Sequence, residues 1–261
     1  MKEMNVRGGI LIIGSLWWQD HLEIRGDDKR KKWRRDYLDT SSEIRVWVPI
    51  RYGRLSGGSL YTMTFANSVR ETPGTGFVLP FRSNPVNDVK ALKREASALS
   101  EAEGMEGQFI RRVKKPWGVL AILPNPALLE ENTREALLLW WSSQLQREAG
   151  YPNFSPNNFR HGEEEPCIWQ NGSLNIPWPT TVDPAVQVAL DGYHFLLATA
   201  TLPTGLDYPE NAVVQANAEE DSYREYFLNN HLHGIRTFQD EDILAASVPL
   251  QQRLTFLNFK K

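Results

Sequence analysis

The residues of this chain best suited to chemistry lie where its first apolar run, Gly9-Ile10-Leu11-Ile12-Ile13, passes directly into Gly14-Ser15-Leu16-Trp17-Trp18. An apolar run of this length bounded by glycine suits a strand covered on both faces. Glycine at its exit lets backbone N–H groups come close to a ligand, and successive N–H groups in such a turn can hold a carboxylate. The same residues also fit an ordinary strand end with a tight turn. Other chemistries fit less well. A nucleophilic Ser15 lacks the Gly-x-Ser-x-Gly elbow, and Leu16 and two tryptophans stand where its helix should begin. The lone cysteine, Cys167, follows Glu163 to Glu165, whose charge disfavours a thiolate. His231 and His233 have no third ligand at a recognised metal spacing, and they suit a helix C-terminus, where the dipole favours them. Gly74-Thr75-Gly76 runs into an apolar strand instead of a helix, which excludes a dinucleotide fingerprint.

The elements that must position the first loop follow in an α+β order. Residues 20–36 are too charged for a core and read as a surface crossing anchored by Trp33. Arg45 to Tyr52 alternates as a strand that Pro49 pushes towards an edge or bulge, and residues 54–59 connect it to Leu60 to Phe65 as an antiparallel hairpin. Gly74 to Phe81 and Trp117 to Leu123 add strands. Between them, the spacing of Val89, Leu92, Ala96 and Leu99 predicts a helix from Asn87 to about Glu103, stopped by Gly104. Thr133 to Ala149 is a second helix with a broad apolar face. The polar, proline-containing passage from Gly150 to Pro184 reads as a long surface excursion, either a lid or a variable insertion. Tyr193 to Leu202 is another buried strand, and a long helix runs from Pro209 to Leu232.

Composition narrows the classes. The chain has 261 residues, 41% of them hydrophobic and 23% charged, which is the balance of a folded protein that can bury a substantial core. Its net charge of −3 gives no global attraction to nucleic acid or anionic lipid, although Lys29 to Arg35, with Trp17, Trp18 and Trp33, forms a local basic and aromatic cluster. A single cysteine excludes an intramolecular disulfide, and the short apolar run at the start suits neither a signal peptide nor a membrane span, so a cytoplasmic location is expected.

This order of features resembles the gamma-glutamylcyclotransferase-like fold, specifically its ChaC-type branch of glutathione-degrading enzymes. The residues that carry the resemblance are Gly14-Ser15-Leu16-Trp17-Trp18 after the first strand, the crossing and strand pair from Trp33 to Phe65 with Arg51-Tyr52-Gly53-Arg54, the strand Gly76-Phe77-Val78-Leu79, and Leu92-Lys93-Arg94-Glu95. The strand from Trp117 to Pro126 completes it, so the likeness spans residues 8–126. One departure is Ile13, where the family has a tyrosine whose hydroxyl lies near the substrate.

The resemblance implies a small mixed or antiparallel barrel-like core over residues 1–126, with residues 127–261 as a helix-rich extension packed on it or continuous with it. It further implies an enzyme that closes a γ-glutamyl group into 5-oxoproline and expels an amine or peptide, with no metal or organic cofactor. Glu95 is then the general base, with Glu101, Glu103 and Glu106 as alternatives. Gly14, Ser15, Leu16, Trp17, Arg51 and Tyr52 bind the substrate. The competing expectation is a non-catalytic binding or assembly subunit on the same fold, with a protein partner on the C-terminal half or nucleic acid on the Lys29 to Arg35 run.

Overall fold

In the computed structural model, which describes residues 4–20, 28–56, 60–111, 117–204, 210–219 and 221–258, the first apolar run forms β1 (Gly8–Ile12), with every residue buried. Both of its edges are paired inside a six-stranded sheet. β1 pairs in parallel with β8 (Phe195–Thr201) and antiparallel with β5 (Gly74–Pro80). β2 (Ile44–Val48) and the two-residue β7 (Thr180–Thr181) extend the sheet beyond β5, and β6 (Gly118–Pro124) closes the other side against β8. The strand order is β6-β8-β1-β5-β2-β7. Among the described residues this sheet is open, with β6 and β7 at its edges, so the expected closed small barrel is corrected to an open sheet in an α+β fold.

Pro49 explains where the chain leaves the sheet. It has no N–H to donate, and the single strand expected across it breaks there into β2 and β3 (Ile50–Ser56). Among the described residues β3 pairs only with β4 (Leu60–Phe65), as a separate two-stranded hairpin. The hairpin is fastened to β8 by side chains: Thr64 Oγ1 donates to the Thr201 carbonyl at 3.1 Å, and Thr201 Oγ1 donates to the Met63 carbonyl at 3.4 Å.

The helices follow their apolar periodicity. α1 (Lys29–Tyr37) precedes β2; α2 (Val89–Ala102) starts at Asp88, whose side chain accepts from the Ala91 N–H, and buries Leu92, Ala96, Leu99 and Ala102. α3 (Glu131–Gln146) carries the fully buried Trp141, and a short α4 (Gln187–Asp191) precedes β8. The long helix expected up to Leu232 is two, α5 (Glu210–Glu219) and α6 (Asp221–Leu232), followed by α7 (Asp240–Ala245) and α8 (Val248–Asn258). Residues 21–27 of the crossing, 57–59 of the hairpin connection and Pro209, read as a helix start, lie outside the described residues.

The passage from Gly150 to Pro184 is not a surface excursion. It buries Phe154, Phe159, Cys167, Ile168, Leu174 and Ile176. It is held to β6 by backbone bonds from the Ile122 N–H to the Gly172 carbonyl at 3.1 Å and from the Leu174 N–H to the Ile122 carbonyl at 2.8 Å. Its single cysteine is sealed, and burial together with Glu164 pushes the thiol up to about 12. Because β8 sits between β6 and β1, one sheet draws strands from both sides of residue 126. Phe195 at the start of β8 is fully buried with its ring 6.0 Å from that of Phe81. Phe195→Ala is therefore expected to lower stability by about 3–5 kcal/mol, measured by denaturant unfolding.

Candidate functional site

At the exit of β1 the backbone of Gly14 takes a φ of 82°, which a side chain rarely tolerates. The chain then closes one helix-like turn, with the Trp17 N–H bonded to the Gly14 carbonyl at 3.1 Å and the Gln19 N–H to the Ser15 carbonyl at 2.8 Å. Space also demands glycine, because a Cβ on Gly14 would stand 2.5 Å from the Tyr226 hydroxyl.

Two arginines of α1 hold this turn from beneath. Arg30 and Arg34 are four residues apart, so they share a helix face with the buried Trp33. Arg30 donates to Ser15 Oγ at 3.0 Å, to the Gln19 side chain, and to the Ala102 carbonyl at the end of α2 at 3.2 Å. Its Nη2 also lies 3.6 Å from the Glu103 carboxylate. Arg34 donates to the Leu16 carbonyl at 2.5 Å and pairs with Asp20 at 2.5 Å. Burial pulls the Arg34 pKa down, and Asp20 opposes the shift. The surface crossing expected here is thus corrected from Lys29 onward: a buried charge needs partners, and the first loop supplies them. Lys31, Lys32 and Arg35 remain exposed.

The carboxylates of α2 divide sharply. Glu95 is 2% exposed and accepts from Ser83 Oγ at 2.8 Å and from Arg94 at 3.2 Å. Burial raises its pKa, while those two donors pull it down. Ser83 adjoins Asn84, whose side chain bonds the N–H and carbonyl of Gly8, both at 2.9 Å, at the far end of β1 from Gly14. Seven residues of helix separate Glu95 from Ala102, roughly 10 Å at 1.5 Å per residue. The structure therefore does not bring Glu95 to the Gly14 turn. The carboxylate it does bring there is Glu103, with a side chain 12% exposed.

The C-terminal helices complete the surroundings. Tyr226 and Asn230 reach in from α6: the Trp18 indole N–H donates to Asn230 Oδ1 at 2.7 Å, and the Met63 N–H donates to the Tyr226 hydroxyl at 3.4 Å. Burial raises the Tyr226 pKa. Trp17 stacks on Phe77 with ring centroids 4.8 Å apart. Of the other expected substrate-binding residues, Arg51 pairs with Glu210 and lies over the Phe238 ring, and Tyr52 is fully buried against the rings of Tyr226 and Phe227. Both fasten the hairpin to the helices. His231 pairs with Asp240 at 2.9 Å, and among the described residues no group of three His, Cys, Asp or Glu side chains is placed to hold a metal.

Arg54 also faces this region. The pairing of β3 with β4 slips at Gly53, so that Tyr52 opposes Met63 and Arg54 opposes Thr62. Gly53 is required because a Cβ there would lie 2.6 Å from His161 Cε1. The Arg54 guanidinium lies over the Trp117 ring, 4.5 Å from its centroid. Burial lowers its pKa, opposed by the nearby Glu103 and Tyr226.

No family model, curated protein or solved structure matches the chain. The site's own geometry is a glycine turn with a largely buried carboxylate, Glu103, and two guanidiniums around it. Tyr226 and Asn230 carry no signal of their own in the sequence, whereas Arg54 and Glu103 stand within motifs that the sequence marks out.

Two consequences are measurable. Gly14→Ala is expected to cost at least about 1–2 kcal/mol from φ alone, and Tyr226→Phe in the same chain should recover part of the loss by removing the crowding oxygen, as read by thermal unfolding. His161, buried and facing Arg51, has its pKa lowered from 6.5 to about 3. The unfolded chain therefore binds a proton that the folded one refuses, and stability falls as pH drops from about 6.5 towards 3. In His161→Gln that part of the acid sensitivity should vanish from a pH series of melting temperatures.

Proposed function

We propose that this protein is a gamma-glutamylcyclotransferase-like enzyme that converts the γ-glutamyl group of its substrate to 5-oxoproline and releases an amine. The observation that carries the reading is the single guanidinium of Arg30, which joins Ser15 of the glycine turn to the Glu103 carboxylate.

The reaction needs little beyond placement. The substrate α-amine attacks its own γ-carbonyl, a C–N bond closes the five-membered ring, and the amide C–N bond to the leaving amine breaks. Ring closure within one molecule supplies proximity, so the protein must hold the side chain folded and carry one proton. In this reading Glu103 takes that proton from the α-ammonium and returns it to the departing nitrogen. The N–H groups of Gly14, Ser15 and Leu16 cradle the α-carboxylate. Tyr226 provides a hydroxyl over Gly14, a role that Ile13 cannot fill. None of these steps calls on a metal or organic cofactor. Glu95, the base expected from the resemblance, is replaced by Glu103 in this proposal because its carboxylate is sealed under Ser83 and Arg94 some way down α2.

The test is 5-oxoproline release from γ-glutamyl peptides, γ-glutamyl amines and glutathione. Glu103→Gln is expected to slow release by at least ~100-fold, with Glu95→Gln retaining turnover. The reverse pattern would restore Glu95 as the base. No release from any compound would favour a binding or assembly subunit.

A further inference from the structure

At the end of β1 away from the glycine turn lies a cavity of about 400 Å³, a size that suits a small organic molecule. Its walls are Arg7 before β1, the 39–44 segment that leads into β2, Phe81 after β5, and Val186 and Ala189 at α4. Ile44, Phe81 and Tyr193 are each no more than 5% exposed, so the floor is apolar apart from the Tyr193 hydroxyl. Charged groups stand on the rim, where Arg7 and Glu43 are exposed and Asp39 is half-buried. The Arg7 guanidinium lies over the Tyr193 ring, 5.3 Å from its centroid. Stacking takes up a flat side and leaves donors along the edge for a carboxylate. Asp39 accepts from the Ser41 N–H at 3.1 Å and from the Ser41 and Ser42 hydroxyls at 2.6 and 2.8 Å, and these donors hold its pKa down. An ionised carboxylate accepts at about four sites, so Asp39 keeps room for a further donor. Burial raises the Tyr193 pKa, Arg7 lowers it and Asp39 raises it, so both charges act on that one hydroxyl. Glu43 supplies a second carboxylate to the same cavity.

We infer that this cavity is a second ligand site and takes an α-amino acid with an apolar side chain, its carboxylate on Arg7, its ammonium between Asp39 and Glu43, and its side chain over Phe81 towards Val186 and Ala189. One cation and two anions around an apolar floor complement a molecule that carries both charges and a hydrocarbon part. A simple anion would bring its charge up to Asp39 and Glu43, and an aliphatic amine would leave Arg7 unanswered. The zwitterion answers all three groups. The inference does not rest on the cyclotransferase reading. The five residues of β1, roughly 17 Å at about 3.3 Å each, lie between Arg7 and the turn that holds Gly14.

The probes are L-leucine, 4-methylpentanoate and 3-methylbutylamine, of which the second lacks only the amine of leucine and the third only its carboxylate. Binding is measured by calorimetry on the full chain and on Arg7→Gln, Glu43→Gln and Glu103→Gln. Leucine is expected to bind at least about tenfold more tightly than either analogue. Arg7→Gln should lower the affinity for leucine about tenfold and leave that for the amine unchanged. Glu43→Gln should weaken leucine and the amine alike and leave 4-methylpentanoate no weaker, whereas Glu103→Gln should match the wild type. Unchanged melting temperatures without ligand show that the variants have folded. Absence of leucine binding, equal binding of leucine and either analogue, or an affinity that survives Arg7→Gln overturns the assignment. Loss of leucine binding in Glu103→Gln alone would move the ligand to the glycine turn and overturn it too.

Discussion

The arrangement depends on a charge that had to be buried. Arg30 lies 7% exposed between α1, the glycine turn and the end of α2. An unpaired guanidinium in such a place would carry a desolvation cost of several kcal/mol. Its donors are answered by a hydroxyl and an amide oxygen at the two ends of the turn, and by a carbonyl and a carboxylate at the end of α2. The demand for satisfied donors thus becomes a positional constraint. Ser15 and Glu103 cannot drift apart without leaving Arg30 short of partners.

The second constraint comes from the C-terminal helices. Tyr226 occupies the space that a side chain at position 14 would need, and the bond from Trp18 to Asn230 ties the far end of the turn to the same helix. The turn is clamped from one side by α1 and from the other by α6. Gln239 strengthens the second clamp by accepting from the Tyr52 N–H at 2.7 Å and donating to Glu210 at 2.6 Å. Arg51 and Tyr52 are absorbed in this fastening, and after the glycine slip that follows them Arg54 lies over the Trp117 ring.

Much of the framework was legible in the residues. Periodicity located β1, β6, β8, α2 and α3, and Gly14 marked the turn because strand-exit glycines carry backbone meaning. What escaped were features in which a residue's type contradicts its location. Arg30 and Arg34 stand in a run of seven residues with six basic ones, a pattern that reads as solvated until a partner for each guanidinium is known. Glu95 and Glu103 are the same residue type on one helix and its cap, and only the path of α2 past the turn distinguishes them. The buried residues of the 150–184 passage follow no helical or strand period, because backbone bonds to β6 hold them. Tyr226 lies more than 200 residues from Gly14, and nothing local announces their contact.

The parallel pairing of β1 with β8 has a consequence for how the chain is made. Gly8 aligns with Phe195, so these two neighbouring interior strands are separated by most of the polypeptide. Synthesis proceeds from the N-terminus, and β5 becomes available to one edge of β1 long before β8 can cover the other. Until Phe195 and the residues after it have left the ribosome, an apolar strand has an unpaired edge of the kind that invites pairing with another chain. Closing so distant a contact also slows folding, since the loop entropy is lost before the pairing compensates for it. The burial that shelters the glycine turn in the finished molecule is therefore completed late, and the nascent chain is at its most vulnerable just before β8 arrives.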